Sequence, residues 1–105
     1  MKLIRVLLCA ITLFMTMGVA HAQKIMGLVV EKNAKGVEEP LAGANVVWLG
    51  TTQGTSTEAN GVFMIDPLEG ATHLVISYVG YKSDTIKFDP QIRIKVILIP
   101  DELLD

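Results

Sequence analysis

The chain carries two histidines, one cysteine and eleven acidic residues. Few of them stand where chemistry would need them. Zinc hydrolysis takes at least three ligands, usually including two histidines, with an open position for water. Beyond residue 22 only His73 remains, in an alternating segment that reads as a strand and turns it outward. Nucleophilic catalysis needs a nearby base, and Ser56, Ser77 and Ser83 sit in strand or turn contexts without the glycine elbow that exposes a serine nucleophile. Glu38 and Glu39 are neighbours in a polar stretch, and Asp101, Glu102 and Asp105 crowd one another. Solvated charge accounts for both groups, because nothing around them suggests the burial that shifts a pKa. Glu31, Asn33 and Gly36 fall short of a calcium loop. Gly50, Gly54 and Gly61 do not open a helix after a strand, so they form no phosphate cradle. No catalytic residue, cofactor or metal is expected, and the chain does not read as an enzyme.

The elements that would position any site begin after residue 22. Lys2 and Arg5 precede an apolar run from Val6 to Met17, followed by Gly18-Val19-Ala20-His21-Ala22. This is the pattern of a secretory signal peptide over residues 1–22, with cleavage expected between Ala22 and Gln23. The run is shorter than the roughly 20 residues a membrane span needs. Cys9 lies inside it, so no lipid anchor is expected there. Of the 105 residues, 83 remain after removal of these 22, with seven basic residues against eleven acidic ones. Such a chain offers no basic patch for nucleic acid, no cysteine to pair, and enough length for one modest core.

Lys24 to Val30 is rich in β-branched and aliphatic residues, and Glu31 to Glu39 reads as a turn-bearing connection. Ala44 to Leu49 places Ala44, Val46 and Trp48 on one face and Asn45, Val47 and Leu49 on the other; both faces are largely apolar, which suggests a central strand. Gly50 to Thr57 has threonines and two bending glycines, so only its end is expected in a strand. Glu58-Ala59-Asn60-Gly61 carries the Asn-Gly hairpin signal, with Val62 to Ile65 returning. Thr72 to Tyr78 sets Leu74, Ile76 and Tyr78 against His73, Val75 and Ser77, the first set facing the core. Tyr78-Val79-Gly80-Tyr81 reads either as an aromatic surface patch or as packing across a turn; continuation of the Leu74 and Ile76 face favours packing. Trp48 is expected in the core. Ser83 to Phe88 is mixed, and Ile92 to Leu98 alternates as a strand with one solvated face. Helix is essentially absent. About seven short strands separated by turn residues predict an all-β, Greek-key sandwich.

The ordered series Ile25-x-Gly27, Pro40-Leu41-x-Gly43-Ala44-Asn45, Gly54-Thr55-x-Thr57, Asn60-Gly61-x-Phe63 and Ser77-Tyr78-Val79-Gly80-Tyr81 resembles the carboxypeptidase regulatory-like, transthyretin-like sandwich that precedes the plug of many TonB-dependent outer-membrane receptors. Glu58 stands where that family often has Asp, a mild departure that leaves the turn intact. The resemblance spans about residues 24 to 99, and it implies structural rather than catalytic roles for the motif residues. It implies a sandwich over residues 23–99. It also makes the acidic tail, residues 100–105, the approach to a TonB box, through Leu103-Leu104-Asp105.

The expected function is a non-catalytic accessory or interaction domain at the periplasmic face of the outer membrane, either the N-terminal extension of a TonB-dependent nutrient receptor or a free-standing relative. Its expected partner is an envelope protein or a receptor plug and barrel, and contact with the membrane would come only through the receptor. Two other readings stay open at the level of sequence. One is a carbohydrate- or peptide-binding module using Trp48, Tyr78 and Tyr81 as a platform. The other is a regulatory domain associated with a zinc carboxypeptidase encoded elsewhere.

Overall fold

A computed structural model describes residues 23–104. The segment expected to be a signal peptide, with Cys9 and Ala22, and Asp105 at the other end, lie outside the described residues. Eight strands are formed: β1 (Ile25–Lys32), β2 (Glu38–Pro40), β3 (Asn45–Trp48), β4 (Gly54–Ser56), β5 (Val62–Ile65), β6 (His73–Ser77), β7 (Asp84–Lys87) and β8 (Ile94–Leu98). A single 3-10 turn, Asp101–Leu103, follows. Two four-stranded sheets face each other. In one, β1 is central, flanked on one side by β2 and β5 and on the other by β8; the second runs β4-β3-β6-β7. Because β3 has β6, not its successor β4 alone, as a neighbour, and because the chain crosses between sheets, the connection has Greek-key character.

Period-two alternation explains the core. Val29 on β1, Phe63 and Ile65 on β5, and Val96 and Leu98 on β8 meet Val46 and Trp48 on β3 and Leu74 and Ile76 on β6, with Leu41 and Ala44 closing one end. The side chain of Trp48 is 2% exposed. Its ring meets Phe88 edge-on with centroids 5.9 Å apart, and its indole N–H donates to the Asp66 carbonyl at 3.0 Å. A buried indole thus keeps its one polar group satisfied.

Several sequence expectations need correction. The stretch Glu31–Glu39 is a hairpin rather than a plain connection, for β1 continues to Lys32 and β2 pairs antiparallel with it, Glu31 opposite Glu39. Asn33 makes the reversal: its Oδ1 accepts the N–H groups of Lys35 at 2.9 Å and Val37 at 3.0 Å. All three β2 residues are exposed, which is why their composition read as loop. That hairpin adds an eighth strand to the expected seven. The Asn60-Gly61 turn is also different from a simple hairpin. It links β4 in one sheet to β5 in the other, as a three-residue loop closed by Gly61 N–H to Glu58 C=O at 2.8 Å and Glu58 N–H to Val62 C=O at 2.9 Å. Only Gly61 takes positive φ, at 80°, and Asn60 Oδ1 instead accepts the Val62 N–H at 3.0 Å.

Strand β3 is central in its sheet, as expected, yet it is half-buried: Leu49 just beyond it is 55% exposed. Ile92, expected to begin the last strand on its core face, precedes β8 and is 65% exposed. Strand β8 pairs parallel to β1, Val29 opposite Val96. Alternation reveals which face a residue takes and says nothing about its neighbouring strand.

Candidate functional site

The motif residues are distributed along the fold as pieces of its framework. Gly27 lies on the inner face of β1, paired with Phe63 on β5 and Ile94 on β8. The Phe63 ring lies directly over it: a methyl group at Gly27 would fall inside 3.0 Å of two Phe63 ring carbons and 3.1 Å from Ile94 Cβ. Only a residue without a side chain admits the ring at this depth. At Gly61 the left-handed backbone brings the chain so near β1 that an added Cβ would stand 2.5 Å from the Val29 carbonyl.

Gly43 and Ala44 bond to one polar hub, while Pro40, Asn45, Gly54 and Thr55 lie in strands β2, β3 and β4 that lead to or from it. Thr57 is 6% exposed. Its hydroxyl donates to the Leu41 carbonyl at 2.5 Å and accepts the Ala44 N–H at 2.9 Å. Its own backbone completes the joint, accepting the Gly43 N–H and donating to the Ala44 carbonyl, both at 2.9 Å. Pro40 ends β2 opposite Val30. Asn45 pairs with Ser56, Val46 with Thr55, and Val47 with Gly54 across β3 and β4. Thr57 was present in the motif series, but nothing in its composition marked it as the hydroxyl that fastens β2 to β3. A threonine just past a strand end, thirteen residues from the turn it serves, gives no local signal.

Tyr78, Val79, Gly80 and Tyr81 form the other cluster. The expectation that Tyr78 continues the Leu74 and Ile76 face into the core is overturned. Strand β6 ends at Ser77, a turn closed by Tyr81 N–H to Tyr78 C=O at 3.1 Å follows, and Tyr78 is left 37% exposed. Alternation does not survive a change in backbone direction. The cross-turn packing is real, with the two tyrosine rings edge-to-face at 5.5 Å and 62°, while Val79 at the turn's tip is 92% exposed. Tyr81 packs against the core, and its hydroxyl donates to the Glu31 carboxylate at the far end of β1. That bond, with some burial, pushes the Tyr81 pKa up to about 12. The same turn fastens the outgoing chain: Gly80 C=O accepts the Asp101 N–H at 2.9 Å, Lys82 N–H reaches Ile99 C=O at 3.1 Å, and Tyr81 bridges Pro100.

His73 stands partly buried on the outer face of β6, its Nδ1 2.8 Å from the Thr72 hydroxyl. Among the described residues no three His, Cys, Asp or Glu side chains gather as metal ligands. Lys95 lies 2.6 Å from Glu38 and holds the Glu38 carboxyl below its usual range, a pairing between exposed groups that contributes little to stability. An aromatic binding platform of Trp48, Tyr78 and Tyr81 is ruled out in that form, since Trp48 is buried between the sheets and the two tyrosines belong to a separate turn. What the surface does offer is edges and grooves. One groove, about 350 Å³, runs beside Lys24, Met26 and Phe88. Another, about 190 Å³, lies where β7 and the start of β8 approach each other, lined by Ile86, Ile92 and Ile94 and by the charged side chains of Lys87, Arg93, Lys95 and Asp89.

Comparison with known proteins agrees with this picture of a framework. Residues 25–103 match the CarboxypepD_reg-like domain. The chain is 39% identical over 85 residues to a TonB-dependent receptor of Formosa agariphila, an alignment covering 81% of this chain and 8% of the receptor. It is likewise 39% identical over 87 residues to the TonB-dependent receptor SusC of Bacteroides thetaiotaomicron, covering 82% of this chain and 8% of that one. The chain therefore spans less than a tenth of the length of these relatives. Among solved structures, a chain in the crystal structure of a type II cohesin–X–dockerin complex from Acetivibrio cellulolyticus shares the fold, with a TM-score of 0.56 at 18% identity over 74% of this chain and 58% of that one.

Proposed function

Because this chain belongs to the CarboxypepD_reg-like domain family, we propose that it is a non-catalytic interaction module at the periplasmic face of the outer membrane, working with a TonB-dependent receptor. It is either the leading domain of such a receptor or a free-standing copy that docks to one. The observation that carries this reading is the 39% identity to two TonB-dependent receptors across four-fifths of the chain. The geometry is compatible with it, since the motif residues are spent on packing, turns and the Thr57 and Tyr81 joints, leaving the strand edges and loops as the surface available to partners. On this reading residues 1–22 are the secretion signal, cleaved after Ala22, and residues 100–105 lead toward the segment engaged by the energy-transducing machinery.

Crosslinking in intact cells tests the docking role. The tagged chain, bearing photoreactive groups at exposed strand edges, is expected to capture a receptor barrel or plug. Capture of cytoplasmic proteins alone would sink the proposal.

A further inference from the structure

The chain's charge is unevenly placed. Residues 82–95 hold four of the seven lysines and arginines that follow residue 22, Lys82, Lys87, Arg93 and Lys95, against Asp84 and Asp89. The other described residues hold three lysines against eight acids. The basic segment contains β7 and enters β8, each the outer strand of its own sheet, and its two middle cations line the groove between them. Lys95 is taken by Glu38. Lys87 and Arg93 form no ion pair among the described residues.

The edge beside this groove is open. Strand β8 bonds to β1 along Ile94–Leu98, and among the described residues its other edge has no backbone partner until Ile99 accepts the Lys82 N–H. A five-residue edge of sequence Ile-Lys-Val-Ile-Leu is mostly aliphatic and carries one charge, itself neutralised, so it lacks the usual protection against pairing. Ile97, on the outward face of β8, is 38% exposed.

We propose that the free edge of β8 and the adjoining groove form a docking site for an extended acidic peptide segment. The segment adds as a strand to β8. Its inward-facing aliphatic side chains lie beside Ile94, and its carboxylates reach Lys87 and Arg93. Charge complementarity decides the class of occupant: a basic strand would meet two unpaired cations in the groove, whereas an acidic one is steered to the single basic side of an otherwise acidic domain. The proposal names the partner chemistry for the interaction role above and rests on that role only for its cellular setting. Binding by the isolated chain is independent of attachment to any receptor.

The test uses the full chain and two labelled synthetic peptides, one of alternating Glu and Val and one with Lys in place of Glu, followed by fluorescence anisotropy at low and high salt. The Glu peptide is expected to bind at low salt, weaken as salt screens the contacts, and lose about tenfold or more in affinity with Lys87→Glu/Arg93→Glu. These exposed substitutions should leave the circular dichroism spectrum unchanged. Amide exchange of Ile94–Leu98 should slow on binding. Absence of binding, equal binding of the Lys peptide, indifference to charge reversal, or unchanged exchange in β8 would each overturn the proposal. So would concentration-dependent self-association that protects the same amides, which would assign the edge to a second copy.

Discussion

Gly27→Ala probes the tightest approach in the sandwich. The added methyl would lie inside 3.0 Å of the Phe63 ring and 3.1 Å from Ile94 Cβ, where ordinary contacts begin near 3.4 Å. Phe63 is fully buried and packed among residues of both sheets, so its ring cannot swing into solvent and the strain spreads into β8. Overpacking of this kind costs about 1–3 kcal/mol. Replacing glycine by alanine inside a strand returns roughly 0.5–1 kcal/mol of backbone entropy. The net expectation is a loss of about 1–2 kcal/mol, or roughly 5–15 °C in melting temperature for a domain of this size. Trp48, the only tryptophan, lies in the same core and reports unfolding directly by fluorescence in urea. Phe63→Leu supplies the control. Alone it loosens the core, but in the Gly27→Ala background it makes room for the methyl, so the double variant should be more stable than the sum of the single losses by about 1 kcal/mol or more. Wild-type stability in Gly27→Ala, or strict additivity in the double variant, would refute the argument that Phe63 dictates glycine at this position.

Two further perturbations address the joints. Thr57→Val keeps the shape of the side chain but strands the Leu41 carbonyl and the Ala44 N–H without their buried partner; the expected loss is about 2–3 kcal/mol in urea unfolding, with Thr57→Ser retaining most of the stability. For Tyr81, the folded-state pKa of about 12 lies above the unfolded value of about 10. Its hydrogen bond to Glu31 therefore contributes fully below pH 10 and is lost as pH rises through 12. An absorbance titration should show a phenol ionising near pH 12 that disappears in Tyr81→Phe. Alkaline unfolding of the variant should lose that part of its pH dependence.

Much of the fold is written locally. The alternation of Ala44, Val46 and Trp48, of Leu74 and Ile76, and of Val96 and Leu98 names the core face of three strands, and all of these residues are buried. Other features depend on relations that no short window contains. Strand β2 is three exposed residues whose strand character comes from pairing with β1, not from composition. The parallel match of β1 with β8 joins segments about seventy residues apart and follows from how the sandwich closes. Tyr78 looked like one more step of a strand because the period predicts a face only while the backbone stays extended. Thr57 looked like the last residue of a short strand, although its burial makes it the joint between two sheets. The charged edge at β7 and β8 required the topology, which brings residues 82–95 to one side.

Native-state fractionation tests partnership with a TonB-dependent receptor at the outer membrane. Envelope fractions from cells that make the protein, solubilised in mild detergent, would be separated by native electrophoresis and blotted with an antibody against residues 23–98. The antibody and a receptor-specific antibody are expected to mark the same band in the outer-membrane fraction. A signal confined to soluble fractions, migrating apart from every receptor band, would contradict it.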